Sequence, residues 1–142
     1  MNKIKLTFEG NPVSQGRPRF ARKGAFVQTY DPEPSKKAKL KIRQQALQMA
    51  NGEIFEGAIM VELYFFRDIP KSFSKQKKIQ AADGVLRPLT KPDTDNYIKL
   101  VLDAINGVFY KDDSQVVEVI GRKFYAEEPR TEIIITSLED EK

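Results

Sequence analysis

At 142 residues, 40% of them hydrophobic and 31% charged, the chain has the size and make-up of one globular domain. It holds no cysteine and no histidine, which excludes disulfides, thiolate nucleophiles, Cys- or His-ligated zinc and histidine acid–base chemistry, so any metal would be held by oxygen, as Mg²⁺, Mn²⁺ or Ca²⁺ are. The net charge of +4 is uneven: residues 1–50 hold 11 Lys and Arg against 3 Asp and Glu, a net of +8, whereas residues 93–142 hold 6 against 12, a net of −6.

Residues 3–9 alternate apolar and polar side chains, the period of a half-buried strand, and Gly10, Asn11 and Pro12 end it. The next stretch, PVSQGRPRFARKGAFVQTYDPEPS, is broken by Gly16 and Pro18 and reads as a loop or loose hairpin turning near Gly24. It carries Arg17, Arg19, Arg22 and Lys23, with Phe20, Phe26 and Tyr30 between them. Arginine forks grip phosphate at two points and rings stack on unpaired bases; the plainer reading is a surface loop whose aromatics fold back on the core. Ser35 reads as the N-cap of a helix to about Ala50, with Ile42, Ala46, Met49 and Ala50 on one face and Leu40 and Leu47 nearby. Lys36, Lys37, Lys39, Lys41 and Arg43 fall on its exposed side.

Residues 57–67 read as a central strand, with Ile59, Val61, Leu63 and Phe65 on one face and Met60, Tyr64 and Phe66 beside Glu62 on the other. Residues 70–89 form a lysine-rich excursion in which Ser74 caps a short helix ending at Gly84. A second helix follows Pro92, with Ile98, Val101, Leu102 and Ile105 as its apolar stripe and Asp95, Lys99 and Asp103 on another face. Asn106-Gly107 end it, and Asp112-Asp113 lead into a strand over 116–125 with Gly121 marking a bulge. A last strand, 131–137, reads as buried on both sides. The expected fold is a single α+β domain over 1–142, strand, helix, strand, helix, strand, strand, with the helices packed on a mixed sheet. No apolar run approaches the roughly 20 residues of a spanning helix and no signal-peptide core is present, so a soluble cytoplasmic protein is expected.

Chemistry is concentrated between Lys91 and Gln115, where five aspartates fall within 21 residues. Grouped like charges cost stability unless a cation offsets them. One reading is a carboxylate-held divalent metal that activates water for phosphodiester cleavage, with Lys99 orienting the water or stabilising developing charge. The other is structural: Asp93 or Asp95 caps the helix and Asp112-Asp113 makes a turn. An EF-hand is a poor fit, because Tyr97 stands at a ligand position and Ile98 where the loop needs glycine.

The run Asp93-Thr94-Asp95-Asn96, then Lys99, Asp103 and Asp112-Asp113-Ser114-Gln115-Val116, resembles the motif of the RusA-type Holliday junction resolvases. The likeness is close over residues 90–125, with Lys123 where that family carries a lysine; the opening strand and the Arg17-Pro18-Arg19 loop resemble its phage and prophage branch more loosely. The resemblance implies a homodimeric endonuclease, dependent on Mg²⁺ (or Mn²⁺), that places paired nicks across a four-way DNA junction during recombination and repair. By motif position, Asp93, Asp95 and Asp113 would bind the metal and carry catalysis with Lys99 assisting, and Asp103, Asp112 and Asn96 would form an outer shell. Arg17, Arg19, Arg22, Lys23 and Lys123 would contact DNA. The expected reaction is in-line attack by water, leaving 5′-phosphate and 3′-hydroxyl ends. The alternatives are a nuclease for flaps or single strands and a non-catalytic nucleic-acid-binding protein.

Overall fold

A computed structural model describes residues 2–16, 19–30 and 32–139. The elements are β1 (Lys3–Glu9), β2 (Arg19–Lys23), β3 (Phe26–Tyr30), α1 (Glu33–Met49), β4 (Ile59–Asp68), α2 (Lys75–Ala82), α3 (Thr94–Ile105), a 3₁₀ turn (Asp113–Gln115), β5 (Val116–Ala126) and β6 (Arg130–Ser137). Four strands form one mixed sheet in the order β1-β6-β4-β5, antiparallel except for the parallel pair β4 and β5. A parallel pair needs a long crossover, and α2 and α3 lie within it. The α+β architecture with a mixed sheet is as the sequence implies.

Alternation decides which face is buried. The rows Leu6–Ile133–Leu63–Gly121 and Phe8–Thr131–Phe65–Lys123 run across all four strands on the side covered by α1 and α3. Ile59, Val61, Leu63, Phe65, Ile133 and Ile135 are fully buried there, beneath Tyr97, Leu100, Val101 and Ile105 of α3. Tyr97 stacks on Phe65 at 5.1 Å. On the opposite face the end of α2 reaches the β5 edge, where Gly84 lies against Phe124; the Arg87 guanidinium lies 3.8 Å over the Phe124 ring and Arg130 lies 4.0 Å over Phe66. Ile134 is therefore only half-buried, and β6 is sealed on one side rather than on both.

Four further readings are corrected. Ser35 does not cap α1: the helix starts at Glu33 after Pro32, because proline is tolerated in a first turn. The buried Ser35 hydroxyl instead accepts the Gly16 N–H at 2.8 Å and donates to the Ser14 carbonyl at 3.2 Å. On the same helix Leu40, Leu47 and Met49 are exposed, while Lys39 turns toward α3. The buried stripe of α3 is wider than a single i, i+3, i+4 line and centres on Tyr97, Leu100, Val101, Ala104 and Ile105, leaving Ile98 and Leu102 half-buried. Gly121 marks no bulge; the register shifts at Ile59–Met60, whose partners Val116 and Glu118 skip Val117.

The role of Gly121 is close approach. A Cβ there would lie 2.5 Å from Ile98 Cδ1 and 3.1 Å from Thr94 Cγ2, so α3 crosses β5 where a side chain would force Ile98 and Thr94 to shift. Gly121→Ala is expected to lower unfolding free energy by about 1–3 kcal/mol, the usual range for overpacking. Adding Ile98→Val, which removes the offending methyl, should recover part of that loss in urea denaturation; no recovery would show that the crossing is not the cause.

Candidate active site

The acidic residues fall into two groups at opposite ends of α3. At its start, Asp93 stands at the N-cap position, where its carbonyl accepts the amides of Asn96 (3.1 Å) and Tyr97 (3.3 Å). Its carboxylate makes no capping bond and instead meets Lys91 Nζ at 3.1 Å on the surface. Asp95, in the first turn, is exposed. Both carboxylates sit where the helix dipole favours negative charge. The approach is held from β4 and β5: Lys123 Nζ donates to the Thr90 and Pro92 carbonyls, each at 3.3 Å, and Arg67 donates to Thr90 Oγ1 at 3.2 Å. Lys123, expected at the DNA, is thus half-buried and bound to the backbone just before Asp93.

One turn beyond Asp95, Lys99 is exposed and makes no ion pair among the described residues. Sharing a face with Asp95 and Asp103, it bridges neither of them. Asp103 pairs with Lys39 of α1 at 3.4 Å. A surface lysine gains about 0–1 kcal/mol from such a pair, too little to bind it against its own side-chain entropy. The Asn96 carbonyl accepts the Gln15 amide at 3.0 Å, joining the stretch before β2 to the first turn of α3.

The second group lies past the end of α3. Asp112 caps the 3₁₀ turn, its carboxylate accepting the Ser114 amide at 3.0 Å, and the bonds from Ser114 hold it below the usual carboxylate range. Gln115 returns the bond by accepting the Asp112 amide at 3.1 Å, and its Nε2 donates to the Phe55 and Gly57 carbonyls, each at 3.0 Å. Asp113 is half-buried and accepts the Tyr110 hydroxyl at 2.9 Å. Burial pushes the Asp113 carboxyl up, and the charges of Asp103 and Asp112 add to it, against the bond from Tyr110. Burial, then the bond to Asp113 and the charges of Asp113, Asp112 and Asp103, push the Tyr110 phenol up as well, so it stays a proton donor.

Asp113 therefore feels the charges of Asp103 and Asp112, whereas Asp95 stands roughly 12 Å from Asp103 along α3, at about 1.5 Å per residue, with Asp93 further still. All are oxygen donors of the kind a hard cation takes. Among the described residues, however, no three acids converge closely enough to hold a metal ion, so the donor chemistry suits Mg²⁺ but one chain does not assemble the cage. Of the expected DNA contacts, Arg22 is exposed on the β2–β3 hairpin; the Arg19 and Lys23 side chains and all of Arg17 lie outside the described residues. Two residues were missed in the sequence. The spacing Asp112-x-x-Gln115 is a capping-box signature and was readable, but nothing local marks Tyr110 as the donor to Asp113.

Because its folded-state pKa is raised, Asp113 is harder to ionise in the fold than in the unfolded chain. The penalty is absent well below about pH 4, where both states are protonated, grows as pH rises past the unfolded value, and levels off above the folded one. Asp113→Asn keeps an acceptor for Tyr110 and removes the charge. In EDTA the variant should melt higher than the parent at pH 7, with the difference gone near pH 3, as followed by circular dichroism.

A family model described as endodeoxyribonuclease RusA matches residues 9–136. The uncharacterized protein YqaN of Bacillus subtilis (strain 168) is 47% identical over 137 residues, covering 95% of this chain and 96% of that protein. With the acidic motif in place on α3 and the 3₁₀ turn, the chain belongs to the RusA endodeoxyribonuclease family.

Proposed function

We propose that the protein is a Holliday junction resolvase, a Mg²⁺-dependent endodeoxyribonuclease (Mn²⁺ being a substitute) that cuts four-way DNA junctions by paired, symmetric nicks and leaves 5′-phosphate ends. The observation that carries this reading is that Asp93 at the N-cap of α3, and Asp95 and Lys99 on it, stand exposed, with the surface pair of Asp93 and Lys91 their one ion pair among the described residues. Charged side chains left out of the fold's own bonding are available to a ligand. Asp113 is the third acid of the set, with its Oδ1 held by Tyr110. Asp103, already bound to Lys39, and Asp112, which caps the turn, serve as supports, as does Asn96.

We infer a homodimer. One chain gathers no three acids at a point among the described residues, and a symmetric pair meets a nearly symmetric junction with two equal sites. Bound to the carboxylates, the cation would supply charge neutralisation at the phosphate and activation of water. The protein's own groups orient and neutralise: Lys99 faces the same solvent side as Asp95, and Arg22, with Arg17, Arg19 and Lys23, gives β2 and the stretch before it an affinity for phosphate. The setting is DNA recombination and repair in the cytoplasm, in a protein of prophage type.

The test compares a synthetic four-way junction with linear duplex and flap substrates, with Mg²⁺ and with EDTA. Paired nicks in the junction alone, abolished by EDTA, are expected; equal cutting of flaps would mark a nuclease of other specificity. Asp95→Asn should keep junction binding, which weakens steeply with salt, while cleavage falls roughly a hundredfold or more. Undiminished cutting by that variant would remove Asp95 from the chemistry.

A further inference from the structure

We propose that the β2–β3 hairpin is a base-stacking arm, whose Phe20, Phe26 and Tyr30 rings take the unpaired DNA bases of an opened branch point. The proposal rests on the reading of the protein as a DNA-binding nuclease and adds the element that reads strand opening.

β2 and β3 pair with each other and with no strand of the main sheet. Lys23 pairs with Phe26 across the two-residue loop Gly24-Ala25, and Gly24, at φ +60°, supplies the positive φ that such a turn needs in its first position. Every residue of β3 is exposed. Phe26 at the tip is 79% exposed, Phe20 71%, Val27 60% and Tyr30 48%. The aromatics do not fold back on the core, so the plainer reading of this stretch fails.

The register places Phe20, Arg22, Val27 and Thr29 on one face of the ribbon and Phe26, Gln28 and Tyr30 on the other. Rings on both faces call for an occupant that touches both, so the ribbon is built for insertion and not for lying along a surface. Charge identifies the occupant. Residues 10–30 contain Arg17, Arg19, Arg22 and Lys23 and no Asp or Glu. A second copy of the same ribbon would be repelled, whereas a polyanion with exposed aromatic faces is attracted by both features. Unpaired bases flanked by phosphates have that chemistry.

The arm is rooted beside the acids. Gly16 and Ser14 are bonded to Ser35 at the start of α1, and the Gln15 amide is bonded to the carbonyl of Asn96, the residue after Asp95. A base held by the arm would thus lie on a strand delivered toward the first turn of α3.

The chain has no tryptophan, so Phe26→Trp in the full-length protein is a unique fluorophore at the tip. In EDTA, where no cutting interferes, indole emission should be quenched by a four-way junction and by oligo(dT) but not by matched duplex. Phe20→Ala/Phe26→Ala should bind junction and oligo(dT) at least about fivefold more weakly, the lower end of base–aromatic stacking, and duplex within about twofold of the parent. Equal quenching or equal loss on duplex would overturn the proposal. So would a change in solution mass, which would make the ribbon a contact between copies, or a clear fall in melting temperature, which would place the rings in the core. Binding with this ring dependence in a protein that never cuts would uphold the arm and sink the nuclease reading. Normal junction affinity and cutting by the double variant would do the reverse.

Discussion

The close crossing of α3 over β5 at Gly121 is the constraint on which the rest of the structure depends. Thr94 and Ile98 occupy the space a side chain would take there, and this seats Tyr97 on Phe65 and the remaining apolar stripe on the sheet. Lys123 lies two residues further along the strand, hence on the same face, and ties the start of the helix through the Thr90 and Pro92 carbonyls. Arg43 of α1 ties the other end, donating to the carbonyls of Ala104 (3.2 Å) and Asn106 (2.9 Å), where the helix dipole favours a cation. Held by a missing side chain in the middle and a basic residue at each end, α3 presents its solvent face in a fixed orientation without consuming Asp95 or Lys99.

The two acid groups are in different electrostatic states. Asp93 and Asp95 sit in solvent at the favourable end of a helix dipole, with a lysine beside the first. Asp113 sits half-buried near two other carboxylates, and its local support is one phenol proton. A cation at the 3₁₀ turn would therefore relieve repulsion that the fold itself leaves in place, whereas at the start of α3 it would add to an arrangement already at rest. In the proposed nuclease, Asp113 would therefore gain most from a bound cation, and Asp93 and Asp95 would be the acids left open toward the substrate.

Elements marked by period or punctuation were legible in the sequence. The alternation of 3–9 and 59–65, the turn at Gly24 and the cap at Ser74 all appear where local chemistry puts them. What escaped were residues whose role is set by a distant partner. Gly121 reads locally as a bulge, and only the helix lying over it shows why a side chain would be crowded there. Lys39 reads as one more solvated lysine until Asp103 arrives from sixty-four positions away to meet it. Ser35 has the composition of a cap, but two prolines let the helix start earlier and turned its hydroxyl to the loop before β2. The acids themselves were legible as a motif; their division between two ends of a helix was not, because sequence spacing says nothing of where the 3₁₀ turn packs.

The hairpin poses the opposite problem, an element whose strands bury almost nothing yet whose direction is set. Two-stranded ribbons are marginal in water, so this one draws its definition from the root. Gly16 fits against Pro32 and Ser35, where a Cβ would come within 2.9 Å of Pro32 Cγ, and the Ser35 and Asn96 bonds hold the two residues before it. In the proposed arm a packed root would limit how much of the ribbon must be ordered when its tip meets a base. Less of the stacking energy is then lost to ordering the arm, and what remains can be spent on holding bases apart.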